Sequence, residues 1–212
     1  LVPEVKTVVN GNKEASVADI VFLALHPPAI PSATDEVKSV LRSEAILISL
    51  APKVTMARLK EMLGGFERIV RMLPNACSIV NAGYNPVCFS LAIPNGEKKE
   101  LLEWLSALGD CPEVAEEKIE AYAVLTAMGP TYFWFQWAEL VELGKSLGLA
   151  EGEVIDGLKK MLIGAAKTLF ESRLSPEEVM DLIPVKPFAE EERQIRVMYR
   201  QKLEAMFQRL KP

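Results

Sequence analysis

The chain has one histidine, His26, among 212 residues. A histidine metal site or a Ser-His-Asp triad would have to be built on that single imidazole, so neither is expected and no metal is assigned. Cysteine is nearly as scarce. Cys77, Cys88 and Cys111 are odd in number, fit no metal spacing and read as free thiols of a reducing cytoplasm. No cluster of Lys and Arg is long enough to track a phosphate backbone, and the net charge is −5, so nucleic acid is not expected as a partner. The longest apolar runs, such as 20–25 and 121–128, fall far short of the roughly 20 residues that span a bilayer, so no membrane partner is expected. No signal peptide is visible, and the chain opens without methionine, which leaves processing or truncation open.

What the chain does have is apolar surface: 50% of its residues are hydrophobic, enough for one large domain or two small ones. The first half alternates short apolar runs with amphipathic segments. Residues 19–25 and 45–50 are near-continuous apolar runs, as strands buried on both faces should be. Residues 67–72 and 86–93 read as a third and a fourth strand. Helices are expected at 33–42, at 56–63, with Thr55 as cap and Gly64-Gly65 as stop, and at 97–108. That alternation predicts an α/β domain with a parallel sheet.

The second half has no such alternation. Residues 118–128, 131–147, 151–172 and 189–210 are all helical by period. Composition changes near Asp110-Cys111-Pro112, which divides the chain into an α/β domain, 1–112, and an all-α domain, 113–212. The run Tyr132 to Trp137 is crowded with aromatics. So much apolar surface exceeds what a small helical domain hides alone, and a homodimer through the helical half is expected.

Residues 71–93, RMLPNACSIVNAGYNPVCFSLAI, set polar amides among apolar neighbours. On local chemistry, Pro74-Asn75 and Asn81-Ala82-Gly83 are ordinary turn formers. With the rest of the chain they form a pattern. "ADIVFLALHPP", "LISLAPKVTMARLKEML", "VRMLPNACSIVNAG", "LTAMGPTYFW" and "IGAAKTLFES" follow one another in the order and spacing of the pyrroline-5-carboxylate reductase family, which the chain resembles over roughly 5–182. That family joins a nicotinamide-binding Rossmann domain to a helical dimerisation domain like the C-terminal one of 6-phosphogluconate dehydrogenase. The resemblance implies NADP, or NAD, as cofactor. It implies cofactor contacts at Ala24, His26, Pro27, Leu50, Pro74 and Asn75, at the carboxyl ends of the strands. Asn75 and Thr126 stand at the catalytic positions; Asn81, Gly83, Gly129 and Lys186 stand at the substrate positions.

The chain also departs from the family's pattern. The opening strand and Gly-x-Gly-x-x-Gly turn that cradle the pyrophosphate have no counterpart, so the sequence is expected to enter the Rossmann unit after its second strand. The substrate loop Ser-Pro-Gly-Gly-Thr-Thr is replaced by 182–188, Leu-Ile-Pro-Val-Lys-Pro-Phe. Ala82 and Met128 replace polar groups. Several side chains carry two readings: His26 faces cofactor ribose or is solvated; Lys167 is catalytic or a snorkelling surface residue; Tyr132 reaches the cleft or packs; Lys186 binds a carboxylate or is exposed. Two functions follow. One is a cytoplasmic nicotinamide-dependent reductase of an imine or related small molecule, of the proline-biosynthesis type, in which the cofactor delivers hydride and the protein supplies position. The other is a non-catalytic dimeric binding or regulatory relative.

Overall fold

Four short β-branched and aliphatic runs make the sheet that organises the first half. The structure is a computed structural model, and it describes Lys6 and residues 8–212. A short helix α1 (Asn12–Ala15) precedes β1 (Ile20–Leu23), α2 (Ile30–Val37), β2 (Ile46–Ser49), α3 (Met56–Met62) and β3 (Ile69–Met72). β1, β2 and β3 pair in parallel in that order. Both faces of the sheet are covered, which is why every residue of β2 and β3 is buried and their burial does not alternate. Leu23, Leu47 and Ile69 face α2 and α3 through Ile30, Val37 and Leu59. Ile48, Val70 and Met72 face α4 (Asn95–Leu105) through Leu101 and Leu105.

The sheet is not wholly parallel. After β3 the chain forms a 3₁₀ turn at Ala76–Val80 and the short β4 (Gly83–Tyr84), and β5 (Val87–Phe89) returns antiparallel to β3. No α-helix lies in this connection to carry the chain back across the sheet, as a parallel partner usually requires. β5 is also shorter than the expected 86–93, because Pro94 and the N-terminus of α4 follow closely. β6 (Gly109–Asp110) pairs with β4.

Helix α2 starts earlier than the apolar spacing predicts. Pro31 suits the first helical turn, where its missing N–H costs nothing. α3 keeps its expected ends: Arg58 N–H donates to the Thr55 hydroxyl at 3.2 Å, and Gly64 and Gly65 take φ of 67° and 96°. The expected helix at 118–128 breaks into a 3₁₀ turn, the short α5 (Ile119–Tyr122) and a π-helical turn, Ala123–Ala127.

Two compact units result: one reaches Gly129 and includes Glu204–Pro212, the other is Pro130–Leu203. The composition changes at 112, but 113–129 groups with the sheet. The backbone of Val87 bonds to Pro112 and Val114, and two carboxylates of this segment reach into β3. The second unit holds α6 (Pro130–Ser146), α7 (Glu151–Glu171), α8 (Pro176–Asp181) and most of α9 (Glu192–Leu210). α6 lies against α7 where Gly144 leaves room for Val154. Among the described residues, Val154 is the one hydrophobic of this unit that is buried. No described helix is long and apolar enough to cross a membrane.

Candidate functional site

Three parallel strand ends share one edge. Leu23 stands opposite Ser49 and Ser49 opposite Arg71. The residues that follow, Ala24, Leu50 and Leu73-Pro74, therefore line the carboxyl edge of the sheet. Leu50 N–H donates to the Leu23 carbonyl at 3.2 Å, carrying the ladder one residue further. Ala24, His26 and Pro74 are exposed; Pro27 and Leu50 are half-buried. His26 sits before a 3₁₀ turn, Pro27–Ala29, and its carbonyl accepts from Ala29 N–H at 2.9 Å.

Asn75 is buried behind this edge. Its Oδ1 accepts from Cys77 N–H at 2.8 Å and so caps the 3₁₀ turn. Its Nδ2 donates to the Thr126 carbonyl at 2.6 Å. The chemistry of that pair is readable from the chain: an α-helix would satisfy the Thr126 carbonyl from residue 130, but Pro130 has no N–H. Asn75 donates instead, joining two sequence motifs that lie far apart. The π-helical turn is of the kind that often marks a functional position. The Thr126 hydroxyl donates back to the Tyr122 carbonyl at 2.9 Å, leaving only its lone pairs to a ligand.

The other assigned residues fall into three places. Asn81 is exposed, with a left-handed φ of 56° that ends the 3₁₀ turn, a conformation asparagine tolerates. Gly83 is buried floor: a Cβ there would come within 2.1 Å of the Ser78 hydroxyl and 2.7 Å of the Asn85 amide. Gly129 is buried, and a Cβ there would press the Leu125 carbonyl at 2.5 Å. Lys186 belongs to the helical unit, where it lines a groove of about 600 Å³ and pairs with Asp181 at 2.8 Å. Lys167 is exposed. The Tyr132 ring meets Tyr199 edge-on at 6.1 Å, and burial pushes its hydroxyl pKa up.

Two side chains that support the edge, Arg71 and Asn85, were missed from sequence. Arg71, in β3, is buried with its guanidinium against Glu116 at 3.0 Å and Glu120 at 2.6 Å. Those carboxylates also accept from Met56 N–H at 2.7 Å and Lys53 N–H at 3.3 Å. They thus tie β3 to the start of α3 and to the turn where Lys53 holds a φ of 71°. Opposite Arg71 lies Cys88, whose thiol is pushed up to about 12 by burial, with Arg71 pulling it back. Asn85 is fully buried. The signal was present for both: an arginine inside an apolar strand and an amide before Pro86 must find partners once buried.

No family model matches the chain. Relatives do. A Staphylococcus saprophyticus pyrroline-5-carboxylate reductase is 26% identical over 162 residues, 76% of this chain and 60% of that protein. Human pyrroline-5-carboxylate reductase 2 is 31% identical over 179 residues, 81% of this chain and 55% of that protein. The structure of a pyrroline-5-carboxylate reductase from Coxiella burnetii superposes with a TM-score of 0.69 at 28% identity, covering 95% of this chain and 78% of that one. The chain is a relative of the pyrroline-5-carboxylate reductases. It spans 60% of the length of the Staphylococcus protein and 55% of the human one. A Plasmodium falciparum pyrroline carboxylate reductase solved with NADP bound shares the fold, with a TM-score of 0.83 at 22% identity over 99% of this chain and 84% of that one. In this pyrroline-5-carboxylate reductase relative, the loop 74–82 therefore stands at the carboxyl edge of a Rossmann-type sheet.

Proposed function

We propose that the chain takes part in a nicotinamide-dependent reduction of an imine or related small molecule, as in its pyrroline-5-carboxylate reductase relatives. The observation that carries this reading is the shared edge: three parallel strand ends capped by a loop that Asn75 fixes to Thr126. Open α/β sheets bind their ligands at such an edge. The residues present fit the ribose and nicotinamide part of NADP or NAD. Ala24 and Pro74 are small and exposed, so a flat ring can approach the backbone, and the exposed His26 imidazole can reach a ribose hydroxyl. When bound, that cofactor supplies the hydride; the chain supplies position and an acceptor at the Thr126 hydroxyl. Asn81 and Gly129 complete the substrate side of this reading, and Gly83 is its floor. The site works within a homodimer formed by the helical unit, in the cytoplasm and in proline synthesis.

A second reading, a dimeric binding or regulatory relative without turnover, is favoured by one observation. The Asn75 amide is spent on the Thr126 carbonyl, and the Lys186 ammonium pairs with Asp181 on the surface. One experiment separates the two. NADPH is titrated into the chain, and its oxidation is followed with pyrroline-5-carboxylate present. Binding with turnover supports the reductase; binding without turnover supports the second reading; neither sinks the first.

A further inference from the structure

Loop 74–82 is held from behind by one side chain. Asn85 Oδ1 accepts two donors at once: the Asn75 backbone N–H at 2.7 Å and the Ser78 hydroxyl at 3.1 Å. These residues are the two ends of one turn, since Ser78 N–H donates to the Asn75 carbonyl at 3.0 Å. On its other side, Asn85 Nδ2 donates to the Leu108 carbonyl at 3.3 Å and lies 3.9 Å from the Cys111 sulfur. The backbone N–H of Asn85 donates to Asp110 at 2.7 Å. One buried amide thus locks the turn to the β4–β6 pair. We propose that Asn85 is the positioning residue of the candidate site, fixing where Asn75 stands at the carboxyl edge; this rests on the functional reading above.

Asn85 reaches no ligand, because its amide is spent in this lock and the side chain is fully buried. It acts through Asn75. The Asn75 amide meets Thr126 only if its backbone is held where Asn85 holds it, and the exposed Ala76, Ile79 and Val80 follow that backbone. The requirement is for an acceptor towards the loop beside a donor towards Leu108. A leucine of similar size would leave the Asn75 N–H and the Ser78 hydroxyl without their acceptor. An aspartate would keep the acceptor; desolvation at this fully buried position favours its protonated form, whose hydroxyl donates to the Leu108 carbonyl as the amide does. The glycine at 83 belongs to the same device, since a side chain there would occupy the space of the Ser78 and Asn85 polar atoms.

The test uses Asn85→Leu and Asn85→Asp in the full chain, with amide hydrogen exchange and NADPH titration as readouts. In Asn85→Leu the Asn75 amide is expected to exchange about 10- to 100-fold faster, with Leu47, Ile48 and Val70 in the sheet as protected as before. Asn85→Asp is expected to stay within about tenfold of wild type. NADPH affinity falls with Asn85→Leu and recovers with Asn85→Asp. If Asn85→Leu loses the sheet's protection as well, Asn85→Asp decides alone: a protected Asn75 amide and retained NADPH binding support the proposal. Unchanged Asn75 exchange in Asn85→Leu, with the sheet intact, overturns it. So does equal NADPH affinity in all three proteins despite a loosened loop, and that result leaves the functional reading standing. Absence of NADPH binding in wild type overturns the functional reading, and the positioning role falls with it.

Discussion

Asn75 shows how a residue can stand at a site and still be committed to structure. Its carboxamide caps Cys77 and satisfies the carbonyl that Pro130 leaves without a helical donor. Asn75→Ala removes both bonds and leaves the part-buried Thr126 carbonyl unpaired. A loss of about 1–3 kcal/mol in unfolding free energy is expected by urea denaturation. Asn75→Asp keeps the cap but sets a carboxylate oxygen against the Thr126 carbonyl, so at neutral pH it should be no more stable than the alanine variant. If both variants unfold like wild type, the joint between the two motifs carries no energy. Cys88 makes a second residue-scale prediction. Its thiol is held from the ordinary 9.0 up to about 12, by burial first and against the pull of Arg71. Below pH 9 the thiol is protonated in both folded and unfolded chains, and its contribution to stability is fully present. Above that, the unfolded chain releases its proton first, so stability falls as pH rises from about 9 towards 12. The slope reaches at most about 1.4 kcal/mol per pH unit. Cys88→Ala should unfold with a flatter alkaline dependence than wild type. Parallel profiles for the two proteins would show that Cys88 adds nothing to the alkaline loss.

At the scale of elements, the Arg71 cluster welds three pieces together: β3, the start of α3 through Met56, and the 116–120 segment. Arg71 and Glu120 are both buried, and Arg71 Nε has no partner among the described residues. Burying such ions costs several kcal/mol each, and mutual attraction offsets that only while both partners remain. Glu120→Ala strands half of a buried guanidinium's pairing and should lose about 3–5 kcal/mol, whereas Arg71→Met with Glu120→Leu, which removes the charge pair together, should lose less than Glu120→Ala does. Denaturation midpoints check this, and a double variant worse than Glu120→Ala would mean the pair is net stabilising. The same region marks what a sequence could and could not say. The strands at 19–25 and 45–50 were legible because buried parallel strands need near-continuous apolar runs, and 67–72 followed from the alternation of strand and helix around it. Thr55 and Gly64-Gly65 were legible because caps and left-handed turns demand those residue types. The antiparallel return of β5 was not, since nothing in a strand's own pattern records its partner's direction. Nor was the break at Ala123–Ala127, which arises where Pro130 and Asn75 meet the helix from outside its period. The shared edge was legible through Ala24, His26, Leu50 and Pro74. For its supports, Arg71 and Asn85, only the need for partners was legible; the partners themselves were not, because they lie distant in sequence.

At the scale of the whole molecule, the helical unit is the part that its own contacts do not complete. Amphipathic helices are stabilised by burying a face. Yet α6 has no buried residue and α7 has one, Val154. Phe135 is 69% exposed and Phe170 is 80% exposed, with Phe133, Trp134, Ile155 and Ile163 each near half. Scattered apolar residues need no explanation on a surface, but a unit that exposes this many large ones while burying one does. We propose a second copy as the occupant. α6 carries few charges to repel an identical face, with Glu139, Glu142 and Lys145 gathered towards its end. A two-fold contact also presents the same apolar faces to one another. The assembly should bury more than about 2,000 Å² in total, the range of obligate pairs. Light scattering at micromolar concentration should give twice the 23.5 kDa of one chain. Phe135→Glu and Phe170→Glu place a charge on these faces while leaving the sheet unit untouched, so at least one should return the mass to that of a single chain. The wild-type chain behaving as a clean monomer would mean that something other than itself covers these helices.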